Sequence, residues 1–258
     1  MSAALPGLLR GWCALRFSAV LALLAGVVLP GVAQAASLQI SPVMINLRAG
    51  QAATGISLQN TGDQPIYGQV RVFLWEQRNG DDVLTPTDEL IASPPVMQIA
   101  ANSAQTIRLV RRSAAAPGPE RQFRVLIDEV PTSAEARDGV AIKLQYSVPV
   151  FMAAAAPGGE YQLRWTFFKR DGVWMLRVTN SGTLHAQIGA TTLITADGRQ
   201  IDISRSLLGY ALAGRQREWR TTVAPGETLG GALTVRANVN TRPIMASGEV
   251  VARPEPAN

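Results

Sequence analysis

The sequence predicts an all-β protein built from two sandwich-type modules, and three observations lead to this prediction. Short runs rich in β-branched and aromatic residues alternate between apolar and polar positions, and turn-forming residues separate them at near-regular intervals. No long segment keeps the apolar period of a helix. A small-residue stretch, residues 153–159, divides the pattern in two. We therefore predict modules at 36–152 and 160–258, joined by the 153–159 linker, and both modules have a normal domain size.

The first 35 residues are predicted to be a secretory signal peptide. Arg10 and Arg16 precede an apolar run from Phe17 to Val28, and Ala33-Gln34-Ala35 has the A-x-A form of a cleavage site. The run is shorter than the roughly 20 apolar residues that a membrane-spanning helix needs, so a membrane anchor is the weaker alternative. We expect an exported, periplasmic protein that is not inserted in a membrane once the signal is removed.

Cysteine content and charge limit the classes of protein to which this chain can belong. Cys13 is the only cysteine and lies in the predicted signal, so the mature chain would depend on core burial rather than disulfides. The net charge is +5, to which the signal contributes two arginines. Because the other arginines are scattered along strand-like segments instead of clustered on one face, we expect no nucleic-acid partner.

One strand of the first module is unusually long. Most predicted strands there are short, such as 69–75, which stops before the reverse-turn pair Asn79-Gly80, and 122–130, which Pro131 ends. In contrast, residues 140–150 alternate over eleven residues, about twice the length of a typical strand. The residues on one face of it are Val140, Ile142, Leu144, Tyr146, Val148 and Val150.

The second module begins with a predicted hairpin. Residues 161–167 and 173–180 alternate, and Asp171-Gly172 joins them. A further strand at 188–196 ends at Asp197-Gly198. We predict a loop-like, arginine-rich stretch from Gly209 to Trp219, followed by two short strands near 229–235 and 248–251.

Few residues suggest catalysis, and we expect no enzyme, no cofactor and no metal. His185 is the only histidine, and without cysteine a zinc site would lack ligands. No nucleophile elbow, P-loop or dinucleotide-binding glycine motif is present. The acid pairs Asp81-Asp82 and Asp88-Glu89 lie in turn-like regions and are expected to be solvated, whereas Asp128-Glu129 ends a strand and could form an ion pair.

Several short segments follow one another in an order that resembles a known family. They are Ile40-Ser41-Pro42-Val43 with Leu47, residues 57–62 (SLQNTG), 69–76 (QVRVFLWE), Pro94-Pro95, 105–109 (QTIRL), 123–131 (FRVLIDEVP) and 146–151 (YSVPVF). Their order, with a signal ahead and a β module behind, resembles PapD-like periplasmic chaperones of the chaperone–usher pilus pathway. The details are more similar to the archaic, spore-coat/Csu-type branch.

The resemblance implies a fold, a function and partners. The fold would be two immunoglobulin-like sandwiches in an L or boomerang arrangement. The protein would bind, fold and cap pilus or fimbrial subunits and deliver them to an outer-membrane usher. A subunit lacks one strand of its own sandwich, and the chaperone supplies that strand by donor-strand complementation. An empty chaperone could also cover its own strand in a self-capping dimer.

The resemblance also implies roles for single residues. By matching position, Val140, Ile142 and Leu144 would enter the subunit, and Tyr146 and Val148 would continue the row towards the cleft. For Val148 and Val150 we favour an ordinary core role.

The match departs from the family at the cleft. Family members hold the subunit's terminal carboxylate with an Arg and a Lys, but the matching positions here are Met44 and Pro149, which cannot bind a carboxylate. Arg48 and Lys143 do not align with those positions. Glu120 matches an acid of an interdomain ion-pair network whose usual Arg partner position is Ala153.

Three other interpretations remain open. A structural pilus subunit or adhesin would carry its alternating donor segment at the mature N-terminus, whereas here the alternation ends the first module. A secreted sandwich enzyme is disfavoured by the residue content. A general periplasmic β-sandwich binding module would leave the long strand unexplained.

Overall fold

The regular secondary structure of the computed structural model consists of β-strands. The model describes residues 38–113, 118–130, 144–156 and 158–252, and within these ranges there is no helix. The all-β prediction is therefore confirmed. In the same ranges, no helix is long and apolar enough to cross a membrane. The predicted signal peptide and the predicted donor residues Val140 and Ile142 lie outside the described residues.

The first module is a sandwich of two sheets. One sheet has the order β1-β3-β8-β6, and the other has the order β2-β10-β9-β4-β5 with β7 paired to β4. The strands are β1 (Leu38–Ser41), β2 (Ile45–Leu47), β3 (Ala53–Asn60), β4 (Ile66–Arg78), β5 (Asp81–Pro86), β6 (Leu90–Ser93), β7 (Val96–Ile99), β8 (Ala104–Arg111), β9 (Arg121–Val130) and β10 (Gln145–Met152).

The period-two alternation of these strands produces the core of the first module. Ile56 on β3 and Ile107 on β8 come from one sheet, and Val125 on β9 and Val150 on β10 come from the other; all four are fully buried in one cluster. Residues between them face outwards because successive side chains of a strand point to opposite faces.

The turn between β4 and β5 has the backbone conformation that its sequence, Asn79-Gly80, predicts. Asn79 and Gly80 have positive φ angles of 54° and 78°, which the two-residue turns that match strand twist require. Arg78, directly before the turn, is the strand partner of Asp81, directly after it. The predicted reverse turn therefore closes a long hairpin.

The second module is one eight-stranded sheet enclosing its own core. Its order is β14-β13-β17-β18-β11-β12-β16, with β15 paired to β13. Trp165, Leu176, Ile188 and Val235 are among the residues buried in that core. The strands are β11 (Leu163–Arg170), β12 (Val173–Asn180), β13 (Ala186–Ile194), β14 (Gln200–Ser204), β15 (Gly209–Ala211), β16 (Arg215–Arg220), β17 (Leu233–Val239) and β18 (Arg242–Val250).

Two predictions for the second module were wrong. The arginine-rich stretch 209–219 is not a loop, because it contains β15 and the edge strand β16. The strand predicted near 229–235 is displaced towards the C-terminus as β17, the strand predicted near 248–251 is longer as β18, and the two form a hairpin. Its turn lies at Asn240 and Thr241, which both have positive φ angles without a glycine, so no glycine marks this turn in the sequence.

Candidate functional site: a free strand edge beside a cleft

Strand β10 has one edge that is only partly covered. On one side it pairs with β9 from Gln145 to Met152. On the other side it pairs with the short parallel strand β2 only from Val150 to Met152. Within the described part of the chain, the stretch from Gln145 to Pro149 therefore lacks a strand partner on its outer edge. Such an edge can add a strand from another chain.

Two backbone hydrogen bonds fix which residues of β10 face this edge. The N–H of Glu129 on β9 donates to the carbonyl of Leu144 (3.0 Å), and the N–H of Ala153 donates to the carbonyl of Leu47 on the β2 side (2.9 Å). Backbone groups alternate in direction along a strand, so even-numbered residues bond to β9 and odd-numbered residues face outwards. Gln145 and Ser147 thus offer both N–H and C=O groups at the free edge.

Pro149 is the third outward-facing residue, and it has no N–H. A proline is tolerated within a sheet only where its missing donor would point away from the ladder, as at an edge. Pro149 meets this condition because its backbone faces the β2 side rather than β9. The free edge therefore contains two complete hydrogen-bonding residues, Gln145 and Ser147, and it is closed after them by the buried Pro149 and by β2.

The predicted donor row lies on the core-facing side of β10. Val148 and Val150 are buried in the first core, in agreement with the core role favoured for them. Tyr146 is half-buried and packs against the same core, and its hydroxyl donates to the carbonyl of Leu38 (2.8 Å). Burial raises the pKa of Tyr146, with a further contribution from the charge of Glu129. Leu144, half-buried, continues the row towards residues outside the described ranges.

The outer face of β10 lines a cleft between the two modules. The cleft has a volume of about 420 Å³, and its walls include Met44, Ser147 and Pro149 from the first module and Leu207 and Trp219 from the second. The predicted cleft residues Met44 and Pro149 are thus brought together, whereas Val148 belongs to the core. As expected, neither Met44 nor Pro149 presents a charge.

A cation nevertheless lies in this cleft, on the neighbouring strand. Arg124 of β9 is directly opposite Pro149. Its guanidinium carbon lies 3.7 Å from the ring centre of Trp75 and 5.3 Å from that of Tyr210. Burial lowers the pKa of Arg124 from its ordinary value, against the charges of Tyr210 and Asp82. It makes no ion pair within 4.0 Å with any described carboxylate.

Asp82 is the acid whose charge acts on Arg124. Its side chain is 40% exposed, in agreement with the solvated position expected for it. Its carboxylate also accepts hydrogen bonds from Trp75 Nε1 and Gln77 Nε2, both 3.0 Å long. Both donors lie on β4, so these bonds are internal to the β4–β5 hairpin.

A buried amide joins the two modules at this hairpin. Gln77 is almost fully buried. Its side-chain oxygen accepts from the N–H of Leu212 (3.0 Å), and its nitrogen donates to the carbonyl of Tyr210 (2.8 Å). The amide thus pairs with backbone groups that would otherwise be left without a partner.

An ion cluster around Glu218 on β16 adds to the contact between the two modules. Glu218 accepts from Arg177 at 2.6 and 2.8 Å and from Arg170 at 2.6 Å. The backbone N–H of Glu218 donates to the carbonyl of Gly80 in the β4–β5 turn (2.9 Å). Arg217 bonds to Asp81 of that turn at 2.7 Å. These contacts fix the second module against the first.

Glu120 has a partner that the sequence did not indicate. The expected position, Ala153, offers no cation, but the Nδ1 atom of His185 lies 3.0 Å from Glu120 Oε2, and the backbone N–H of His185 donates to Oε1 (3.0 Å). The imidazole also stacks on Phe151 of β10, with ring centres 3.3 Å apart. His185 therefore has a structural contact across the modules, and the described residues contain no cluster that could hold a metal.

Sequence reasoning missed Arg124, Gln77 and His185 as site residues. Arg124 carried one signal, since it is a cation between the apolar residues Phe123 and Val125 of β9. Gln77 and His185 carried none, because their roles depend on contacts with residues more than 60 positions away.

The first module matches a family model. Residues 37–156 match the model described as pili and flagellar-assembly chaperone, PapD N-terminal domain. The match confirms the resemblance seen in the sequence of the first module. No curated protein matches the chain significantly in sequence.

Solved structures with the same fold include chaperones of pilus systems. A chain in the CsuC–CsuE chaperone–tip adhesion subunit pre-assembly complex from archaic chaperone–usher Csu pili of Acinetobacter baumannii is 22% identical, with a TM-score of 0.66; 84% of this chain and 100% of that chain are covered. The YadV chaperone is 18% identical (TM-score 0.60; 82% and 100% covered). A chain in the Salmonella enterica SafA pilin–SafB chaperone complex is 19% identical (TM-score 0.56; 82% and 96% covered). The chain thus shares its two-module fold with these proteins.

Proposed function

We propose that this protein is a non-enzymatic chaperone that holds pilus subunits by donor-strand complementation and delivers them to an outer-membrane usher. The observation that supports this most directly is the uncovered edge of β10 from Gln145 to Pro149. The match of the first module to the PapD N-terminal domain model agrees with it, as does the shared fold with chains from chaperone–subunit complexes. The predicted signal peptide supports a periplasmic location.

In this proposal β10 and the residues before it supply the missing strand. Backbone groups of Gln145 and Ser147 pair with the subunit, and Leu144 enters its core together with Val140 and Ile142. Leu144 suits this role because it shares a face with Val148 but lies only half-buried in the free protein. Tyr146 ends the donated row, because its hydroxyl is already bonded to the first strand.

Arg124 is the proposed anchor for a subunit carboxylate. The position where the family carries a lysine holds Pro149, and Arg124 lies directly opposite it on β9. The guanidinium is oriented by the rings of Trp75 and Tyr210 and has no ion-pair partner among the described residues. A desolvated guanidinium in such a cleft is suited to binding a carboxylate.

The test is capture of a subunit in the periplasm. Candidate secreted subunits are co-expressed with the wild type or with Ile142→Asp/Leu144→Asp, and the soluble complex is quantified. A charged carboxylate in the subunit core would cost several kcal/mol, so the recovered complex should fall at least about 100-fold while the chaperone stays folded.

Gln145→Lys is the matched control, because it places a charge on the adjacent residue of the opposite face, beside Asp128. This variant should capture subunits as the wild type does. Equal capture by the double aspartate variant would show that the strand is not donated.

A further inference from the structure

The opening of strand β10 is held to its sheet from one side only. It pairs with β9 from Gln145 onwards, whereas its outer edge has no strand partner before Val150 within the described ranges. The end of a strand opens locally where few contacts hold it. A strand that receives a subunit at this edge therefore needs a further contact to keep it extended.

A carboxylate on β9 provides such a contact on the outer face of the sheet. Asp128 lies directly opposite Gln145 of β10, and its Oδ1 atom accepts a hydrogen bond from Gln145 Nε2. Its Oδ2 atom accepts from Arg71 of β4, from Nε at 3.1 Å and from Nη2 at 2.8 Å. One carboxylate thus joins three neighbouring strands, and Asp128 forms the ion pair that the sequence allowed at this position.

Both partners favour the charged form of Asp128. Burial alone would raise the pKa of Asp128, but the hydrogen bonds from Gln145 and Arg71 and the charge of Arg71 lower it. The guanidinium of Arg71 also lies over the ring of Phe73, 5.6 Å from its centre. The side chains of Arg71 and Asp128 are 45% and 22% exposed, and exposed pairs contribute little to overall stability. The main effect of this contact is therefore expected on the local position of β10.

We propose that Asp128 is a positioning residue that keeps the opening of β10 extended and ready to pair with a subunit. The inference rests on the proposed function, because it needs a strand to be added at this edge. The backbone N–H and C=O of Gln145 face the free edge, while its side chain is held by Asp128 on the outer face. The residue that offers the first hydrogen bonds of the described edge is thus ordered before a subunit arrives, which lowers the cost of binding.

The inner face of the strand needs this support from outside. Leu144 is proposed to enter the subunit, so it is not available as an anchor in the complex. Tyr146 is held through its hydroxyl by the carbonyl of Leu38, on the face opposite to the side chain of Gln145. Asp128 and Tyr146 therefore hold the strand from both faces and leave its edge open.

Loss of the contact should slow association and leave dissociation unchanged. A side-chain hydrogen bond changes an equilibrium roughly 2- to 10-fold. Gln145→Ala or Asp128→Ala should therefore reduce the population of the extended, binding-competent strand by up to that factor, and the apparent association rate falls in proportion. In the complex the added strand of the subunit holds β10 from its open edge, so the lost contact no longer matters there.

The experiment is a competition for a limiting amount of subunit. Wild type and variant carry different tags and are mixed in equal amounts, and a denatured candidate subunit is diluted into the mixture. The ratio of the two complexes gives the ratio of association rates, and excess unlabelled wild type then measures dissociation of each complex. Gln145→Lys keeps a donor beside Asp128 and tests rescue. Glu89→Ala, which removes the exposed ion pair with Arg121 on β9, is the matched control.

Hydrogen exchange of the free chaperone tests the same contact without a subunit. The amide of Glu129 donates to the carbonyl of Leu144, and the amide of Tyr146 bonds to β9. Both amides should exchange several-fold faster in Gln145→Ala, whereas the amide of Val148, further along β10, should keep its rate. An overall loss of stability would accelerate all three.

We expect the wild type to exceed Gln145→Ala roughly 2- to 10-fold among the captured complexes, with equal dissociation rates. Gln145→Lys and Glu89→Ala should match the wild type. Equal capture of Gln145→Ala, or faster dissociation with an unchanged association rate, would overturn the positioning role and leave strand donation intact. If the wild type captures no subunit, the proposed function fails and the positioning role fails with it.

Discussion

Replacing Arg124 by methionine should weaken the binding of a subunit while leaving the stability of the free protein almost unchanged. Methionine fills a similar space with a flexible, polarisable side chain, so packing between Trp75 and Tyr210 is kept. The change removes a cation that burial disfavours and that has no ion-pair partner among the described residues. It also removes the attraction between the guanidinium and the Trp75 ring.

The two effects on the free protein oppose each other. A desolvated cation–π contact is worth about 2 kcal/mol or more, and relief of the buried charge offsets most of it. We expect the free energy of unfolding to change by less than about 1 kcal/mol, which is about 2–4 °C in Tm for a chain of this size. In the complex, loss of a charge-assisted hydrogen bond costs about 1.5–3 kcal/mol, or roughly 10- to 150-fold in affinity.

The assay measures how fast a labelled chaperone leaves its subunit when excess unlabelled wild type is added. Arg124→Met should dissociate roughly 10- to 150-fold faster, and Arg124→Lys should lie between, because lysine keeps the charge but not the planar stacking. Arg108→Met, at an exposed position of β8, is the matched control. Dissociation of Arg124→Met within twofold of the wild type would refute the role of Arg124 as an anchor.

Two further predictions concern the second module. Glu218→Ala removes the carboxylate that the buried Arg177, only 8% exposed, contacts, so the free energy of unfolding should fall by about 3–5 kcal/mol in chemical denaturation; Glu227→Ala, which breaks the exposed pair with Arg199, should have a much smaller effect, and equal losses would contradict this account. The hydrogen bonds from Thr195 and Arg199 lower the pKa of Asp197 to about 2. Because this pKa is lowered, the stabilisation is present above the ordinary value of 3.8 and is lost as the pH falls towards 2. Carbon NMR of the carboxyl group should show the low pKa and its rise in Arg199→Ala, and a titration near 3.8 in the wild type would count against it.

The fold was largely predictable because it depends on local patterns. Alternation marked β4 and β9. Asn79-Gly80 marked the turn between β4 and β5, and Asp171-Gly172 marked the turn between β11 and β12, since positive φ angles favour these residues. Strand β16 was not predictable from its own composition. Four of its six residues are Arg or Glu, and they form a strand because the partners that satisfy them lie on β12 and in the β4–β5 turn.

Only the part of the candidate site that lies within a single strand could be predicted from the sequence. The long alternating strand placed Leu144 and Tyr146 on one face, and the structure keeps them there. The contacts between modules were not predictable, because Glu120 meets His185 and Gln77 meets Tyr210 only after both modules have folded. The departure at Met44 and Pro149 was visible in the sequence, but the position of Arg124 opposite Pro149 required the strand register.

Pro149 and Arg124 together determine the charge at this point of the cleft. The two residues are direct cross-strand neighbours, with side chains about 5 Å apart in such pairs. A lysine at position 149 would therefore face the Arg124 guanidinium at close range, and like charges in this position destabilise a sheet. A cleft that holds its cation on β9 thus favours a neutral residue on β10. Proline satisfies that condition because its side chain carries no charge.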